Sequence, residues 1–75
     1  MPRYYFRLRD GSVVPDHEGE ELADDGRARQ TAVEVFAETV GGKADHLGKG
    51  GDYEVMVLRE DETPLFSVTA QGRRL

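Results

Sequence analysis

The sequence predicts an α+β fold, a single four-stranded antiparallel sheet with one helix on one face. Two observations lead to this prediction. Segments in which apolar and polar side chains alternate every second residue stand near both ends of the chain, and a segment with helical periodicity lies between them. The expected order is therefore strand, strand, helix, strand, strand (ββαββ), and the 75 residues are expected to form one domain, residues 1–75.

The first two strands are predicted as a hairpin. Residues 3–9, RYYFRLR, alternate aromatic and leucine side chains with arginines, as a half-buried strand does. Asp10-Gly11 follows directly and is typical of a two-residue type I′ turn, in which both central residues need positive φ. Residues 12–14 return as a short second strand that Pro15 ends. Because proline has no amide hydrogen to donate, this strand is expected at a sheet edge.

The helix is predicted to begin at Asp24 or Asp25 and to end at Val40. An aspartate at this position accepts hydrogen bonds from the unpaired amides of the first turn, and the segment that follows has one broad apolar face. The two glycines after Val40 are interpreted as a left-handed stop that leads into a flexible segment, residues 43–52.

The last two strands are predicted at residues 53–59, YEVMVLR, and 65–70, LFSVTA, with a polar turn between them. The third strand is the most continuously apolar, so it is placed centrally beside the first. This placement gives the spatial order 2-1-3-4 with all strands antiparallel. A β-grasp order, in which the first and last strands lie side by side and parallel, is the alternative.

Composition and charge limit the possible functions. The absence of cysteine excludes disulfides, thiolate zinc sites and thiol nucleophiles. No apolar run approaches the about 20 residues of a membrane span, so no membrane association and a cytoplasmic location are expected. The net charge is −5, and six acids within residues 16–25, here called the acidic segment, leave the rest of the chain at +1. An acidic chain disfavours nucleic-acid binding.

The acidic segment is interpreted as a structural latch. Gly19 is expected to turn the segment back toward the helix, where Arg29 projects into the apolar arc. A partly buried guanidinium needs a carboxylate partner, and the strongest arrangement is a bidentate pair with two parallel hydrogen bonds. We therefore expect Arg29 to pair with Asp16, Glu18 or Glu20.

A metal site is the alternative interpretation of the same residues. Asp16, Glu18 and Glu20 alternate as calcium ligands do, but glutamates replace the usual small ligands and no closing bidentate acid follows at the required spacing. His17 and His46 have no third ligand at a spacing typical of zinc, and both are interpreted as solvated loop residues. No metal and no cofactor are therefore predicted.

The sheet face that the helix leaves uncovered, here called the uncovered face, is predicted to be an interaction surface. Alternation places an interface-like mixture of apolar, aromatic and arginine side chains on it: Tyr5, Arg7, Met56, Leu58 and Leu65. Arg7 is expected to pair with Glu54 across the strands at its rim. Self-association as a homodimer is predicted, through this face or through an edge strand.

The chain also resembles a known family. The opening MPRYYFRLRDG, the segment PDHEGEEL, Asp24, the pair Ala28-Arg29 and a late strand pair around an acidic turn are similar to short bacterial proteins grouped as domain of unknown function 6894. The resemblance implies a small bacterial cytosolic domain and no particular chemistry. The sequence departs from it at Asp61-Glu62, where the family pattern has Asp-Gly, so a longer or more strained turn is expected.

The function predicted from these features is that of a protein-interaction module without enzymatic activity. One alternative is binding of nucleic acid by the alternating basic and aromatic residues of the first strand, Arg3, Tyr5, Arg7 and Arg9. That alternative lacks the glycine-aromatic signature of RNA-recognition sheets. The other is a tautomerase-like enzyme with Pro2 as its base, but such enzymes need a crossover into a helix where this sequence predicts a hairpin.

Overall fold

The computed structural model describes residues 1–75. Its elements in chain order are strands β1 (Arg3–Arg9), β2 (Val13–Val14) and β3 (Glu20–Glu21), helix α1 (Asp25–Thr39), a 3-10 turn (Val40–Lys43), helix α2 (Ala44–Gly48), and strands β4 (Asp52–Arg59) and β5 (Pro64–Gln71). All strand pairs are antiparallel, and α1 packs on one face of the sheet over β4 and β5. The predicted α+β class is confirmed.

The sheet has the order β2-β1-β4-β5, and the additional strand β3 also pairs with β1. Both two-residue strands lie along the same edge of β1: β2 pairs with Leu8 and Arg9, and β3 with Arg3 and Tyr4. The predicted four-stranded sheet is thus only approximately right, because β3 was not foreseen. The β-grasp alternative is wrong, since β1 and β5 are not neighbours.

The core lies between α1 and the central strand β4. Tyr53, Val55 and Val57 are fully buried there, and each alternate side chain of β4 points toward the helix. Ala28 and Ala32 are also fully buried, because small side chains let the helix approach the sheet closely. Burying one valine side chain stabilises the fold by about 1.5–3 kcal/mol, so β4 contributes a large part of the net stability.

Helix α1 begins as the sequence predicts. Asp24 is extended and its Oδ1 accepts a hydrogen bond from the amide of Arg27 at 2.8 Å, which satisfies a first-turn donor. The helix ends at Thr39, one residue before the predicted end.

The segment after α1 differs from the prediction. Gly41 and Gly42 do not adopt positive φ; they continue into the 3-10 turn, and α2 follows where a flexible segment was expected. The residue of this segment that adopts a left-handed backbone conformation is Gly50, with φ +94°. Lys43 fixes the segment to the first hairpin through an ion pair of 2.7 Å with Asp10, and such a contact between distant residues is not visible in local sequence.

The first hairpin turn also differs from the prediction. Arg9 pairs with Val13, so three residues separate the strands, and only Gly11 has positive φ. A type I′ turn would need positive φ at Asp10 as well. The prediction of a two-residue turn is therefore wrong.

The second hairpin turn is strained, as the departure from Asp-Gly predicts. Glu62 adopts φ +69°, a region that glycine occupies without cost. The amide of Arg59 donates to the carbonyl of Thr63 at 2.9 Å, and the Asp61 side chain accepts from the Thr63 amide at 3.0 Å. These bonds hold Glu62 in its unfavourable conformation.

Candidate interaction surfaces

The acidic segment is fixed along the outer edge of β1 by Asp16. One carboxylate oxygen accepts the amide hydrogen of Phe6 at 3.2 Å, and the other accepts the amides of Glu18 and Gly19, each at 3.1 Å. Burial raises the pKa of Asp16, but hydrogen bonds from Gly19, Phe6 and Glu18 outweigh it, so the pKa lies below its ordinary value. Asp16 therefore joins the loop to the strand as an ionised group.

Gly19 is required where the acidic segment approaches the edge of β1. Its φ is +71°, and a Cβ there would lie 2.8 Å from both the carbonyl oxygen of Tyr4 and a ring carbon of Tyr5. Both conditions exclude any larger residue without a shift of the loop.

The predicted pairing of Arg29 is wrong. Arg29 is exposed, and it forms no ion pair with Asp16, Glu18 or Glu20. Asp16 and Glu21 instead contact β1, because this part of the segment follows the edge of that strand.

Arg3 is the arginine that holds the acidic segment. Its guanidinium donates to the carbonyl of Glu18 at 2.8 Å and to the Glu21 carboxylate at 3.2 Å. Sequence reasoning missed this role of Arg3, because the path of the segment along β1 is not visible in local sequence.

A carboxylate at the start of α1 joins three elements and was missed at the sequence level. The Tyr4 hydroxyl donates to Asp25 at 2.7 Å, and the Arg59 guanidinium donates to the second Asp25 oxygen at 2.6 Å. The Arg59 hydrogen bond first, and the Tyr4 hydroxyl second, lower the pKa of Asp25. A tyrosine at a core-facing strand position could have indicated a polar partner for its hydroxyl.

The uncovered face is less apolar than predicted. Tyr5, Arg7 and Met56 are half-exposed, but Leu58 is only 4 % exposed and Leu65 packs against the core. A register shift opposite Val57 and Leu58 displaces Leu65 from its regular alternation. The placement of Leu58 on an exposed surface is therefore wrong, and Leu65 is only partly exposed.

A pocket of about 280 Å³ lies over Leu58 on this face, between the acidic segment and the last turn. Tyr5, Arg7, His17 and Glu60 are among the residues that line it, so its charges are mixed. Arg7 lies opposite Met56, and Glu54 pairs with Arg9 at 3.3 Å. The expected pair of Arg7 with Glu54 is not formed.

The other candidate residues are dispersed. His46 lies in α2 and not in a loop, with its Nε2 2.8 Å from the carbonyl oxygen of Asp52, whereas His17 is exposed in the acidic segment. No group of three or more metal-ligating side chains is arranged to hold an ion. Pro2 lines a pocket near Arg59, but Arg59 is bonded to Asp25, and a hairpin follows β1 as predicted.

The outer edge of β5 is a surface of a different kind. β5 is the last strand of the sheet and pairs only with β4. None of its eight residues, PLFSVTAQ, is charged, and Ser67, Thr69 and Gln71 are exposed. Its outward backbone groups have no strand partner, which makes this edge a template for another strand.

The fold and these surfaces define a small α+β domain with one sheet edge closed and the other open. The chain belongs to a family called domain of unknown function (DUF6894), whose profile matches residues 3–71. No curated protein and no solved structure matches the chain. Neither of its helices has the length and apolar character needed to cross a membrane.

Proposed function

We propose that this chain is a non-enzymatic interaction module of the bacterial cytoplasm, which self-associates by pairing the outer edge of β5 with the same edge of a second copy. The observation that carries the proposal is the uncharged and unpaired β5 edge. Pro64 has no amide hydrogen to donate and a register shift precedes Phe66, so the six residues 66–71, about 20 Å long, are available for a regular ladder of interchain backbone hydrogen bonds. The chain would then act by contact, with no chemical step.

A second copy suits this edge for two reasons. A two-fold rotation sets a second β5 antiparallel to the first, so that beyond Pro64 the backbone donors of each strand face acceptors of the other. The acidic segments of the two copies would also stay far from each other, because each lies along β1, at the side of the sheet opposite to β5.

The β5 edge accounts for association better than the uncovered face does. Leu58 is buried and Leu65 is partly buried against the core, which leaves mainly Tyr5, Arg7 and Met56. An interface normally needs a buried apolar centre, and three half-exposed residues supply little of one.

Binding of nucleic acid is likewise disfavoured. Of the four β1 residues considered, Arg3 pairs with Glu21 and Arg9 pairs with Asp52 and Glu54. Those guanidiniums are partly neutralised, so fewer cations are left for phosphate groups.

Mass measurement tests the proposal directly. Light scattering of the wild-type chain at micromolar concentration is expected to give twice the chain mass of 8.4 kDa. The double substitution Ser67→Lys, Thr69→Lys adds like charges to the exposed side chains of β5 and is expected to yield monomers, because lysines on an edge strand oppose further pairing.

A matched control separates the edge from net charge. Gln30→Lys with Ala37→Lys adds the same charge at exposed positions of α1 and is expected to keep the dimer mass. Circular dichroism should show that both variants remain folded. A monomeric wild type, or a dimer that survives the β5 substitutions, would reject pairing through β5.

A further inference from the structure

We infer that the two β5 strands pair in the antiparallel direction, with Arg73 and Arg74 of each copy lying against Glu60 and Glu62 of the other. This inference rests on the proposed function, since it concerns the partner's position at the same edge. It adds a charged contact at each end of an otherwise uncharged strand pair.

The four residues are free to make such contacts. Arg73 and Arg74 are exposed, as are Glu60 and Glu62, and none of them takes part in an ion pair within the chain. Most other basic side chains already have an acidic partner, for example Arg3 with Glu21 and Arg59 with Asp25. Unpaired charges of opposite sign therefore flank the two ends of β5.

The antiparallel direction follows from where those charges stand. Glu60 and Glu62 lie in the turn before β5, and Arg73 and Arg74 follow the strand after Gly72. Antiparallel pairing sets the end of one strand beside the start of the other, so both arginine pairs meet acids. A parallel pair would set arginines beside arginines and acids beside acids, which is repulsive at both ends.

Both charged groups leave the sheet at defined places. The amide of Gly72 donates to the carbonyl of Gly51 at 2.9 Å, and a Cβ on Gly72 would overlap the carbonyl oxygen of Leu47. At the other end, the Asp61 and Thr63 hydrogen bonds shape the turn that carries the glutamates. The backbone next to both groups of charges is thus fixed at the strand ends, where a partner strand would meet them.

Two charge-reversal variants test the inference. One carries Arg73→Glu with Arg74→Glu, and the other carries Glu60→Lys with Glu62→Lys. Each alone is expected to raise the dissociation constant about tenfold, on the order of what a few exposed ion pairs supply. An equimolar mixture is expected to restore dimers of wild-type affinity, because a mixed dimer has opposite charges at both ends.

The test separates this inference from general repulsion and from the proposed function. If only net charge mattered, Glu60→Lys with Glu62→Lys would strengthen the dimer, because it reduces the negative charge of the chain. Strengthening, unchanged affinity in either variant, or a mixture that stays dissociated would overturn the charged contact while leaving β5 pairing intact. A wild type that is monomeric would instead reject the proposed function itself.

Discussion

The two outer edges of the sheet are treated in opposite ways. Along β1, the short strands β2 and β3 occupy both ends and the Asp16 carboxylate takes the Phe6 amide between them. Along β5, eight uncharged residues have no strand beyond them. The acidic segment thus has a structural role, because it helps to close the β1 edge of the sheet. The β5 edge is left as the available site for another strand.

The difference has a simple physical origin. A tight hairpin such as β4–β5 uses only the inner edge of its second strand, so nothing in the hairpin itself covers the outer edge. The long connection between β2 and α1 instead runs back along β1 and can supply both a strand and a carboxylate. Closure of an edge therefore depends on the path of a loop.

The largest expected effect comes from opening the closed edge at Gly19. Gly19→Ala places a methyl group against Tyr4 and Tyr5 at positive φ, and it should lower the free energy of unfolding by about 2 kcal/mol. Urea unfolding measures this change. Gly41→Ala, in open space, is the control and should be neutral or slightly stabilising. Equal stability of the two variants would mean that the contact of Gly19 with Tyr4 and Tyr5 is not tight.

Removal of the Asp16 side chain should have the next largest effect. Asp16→Ala leaves three backbone amides without their acceptor and is expected to cost about 1–2 kcal/mol in urea unfolding. Arg29→Ala should change stability by no more than about 0.5 kcal/mol, because Arg29 is exposed and has no carboxylate partner. If Arg29→Ala lowered the free energy of unfolding more than Asp16→Ala, Arg29 would be the residue that holds the loop.

Acid should weaken the closed edge in a defined direction. The pKa of Asp16 is lower in the folded chain than its ordinary value of 3.8, so its contribution to stability is fully present above that value. The contribution is lost as the pH falls through the lower folded pKa. Unfolding measured below about pH 4 should thus show a smaller acid loss in Asp16→Asn than in wild type. If the free energy of unfolding fell equally with pH in the two proteins, the role of ionised Asp16 in stability would be contradicted.

The smallest expected effect concerns the turn beside the open edge. Glu62→Gly relieves a residue at φ +69° and should raise the free energy of unfolding by about 0.5–1 kcal/mol. The same substitution removes one of the charges inferred to meet Arg73 or Arg74, so dimer affinity should fall slightly. Stability and association should therefore change in opposite directions. Thermal unfolding and light scattering on one sample compare them, and a parallel rise in both would argue against the charged contact.

Much of the fold was predictable because its signals are local. Alternation in RYYFRLR and YEVMVLR marks two strands whose buried faces depend only on every second residue. Asp24 caps α1 through a bond to an amide three residues away, so its role can be inferred from sequence spacing. The strain at Glu62 was similarly foreseeable, because a missing glycine in a tight turn is visible in the sequence.

The candidate surfaces were less predictable because they depend on contacts across the chain. The sequence alone determined the alternation of the strands and the concentration of acids in residues 16–25, and it predicted that these acids are held and that a strand edge or sheet face meets a partner. Only the tertiary structure decided that Arg3 and Asp16 hold the segment in place of Arg29, and that a register shift removes Leu65 from the uncovered face. Periodicity defines which way a side chain points within one element, whereas strand register and loop path arise when distant elements pack together.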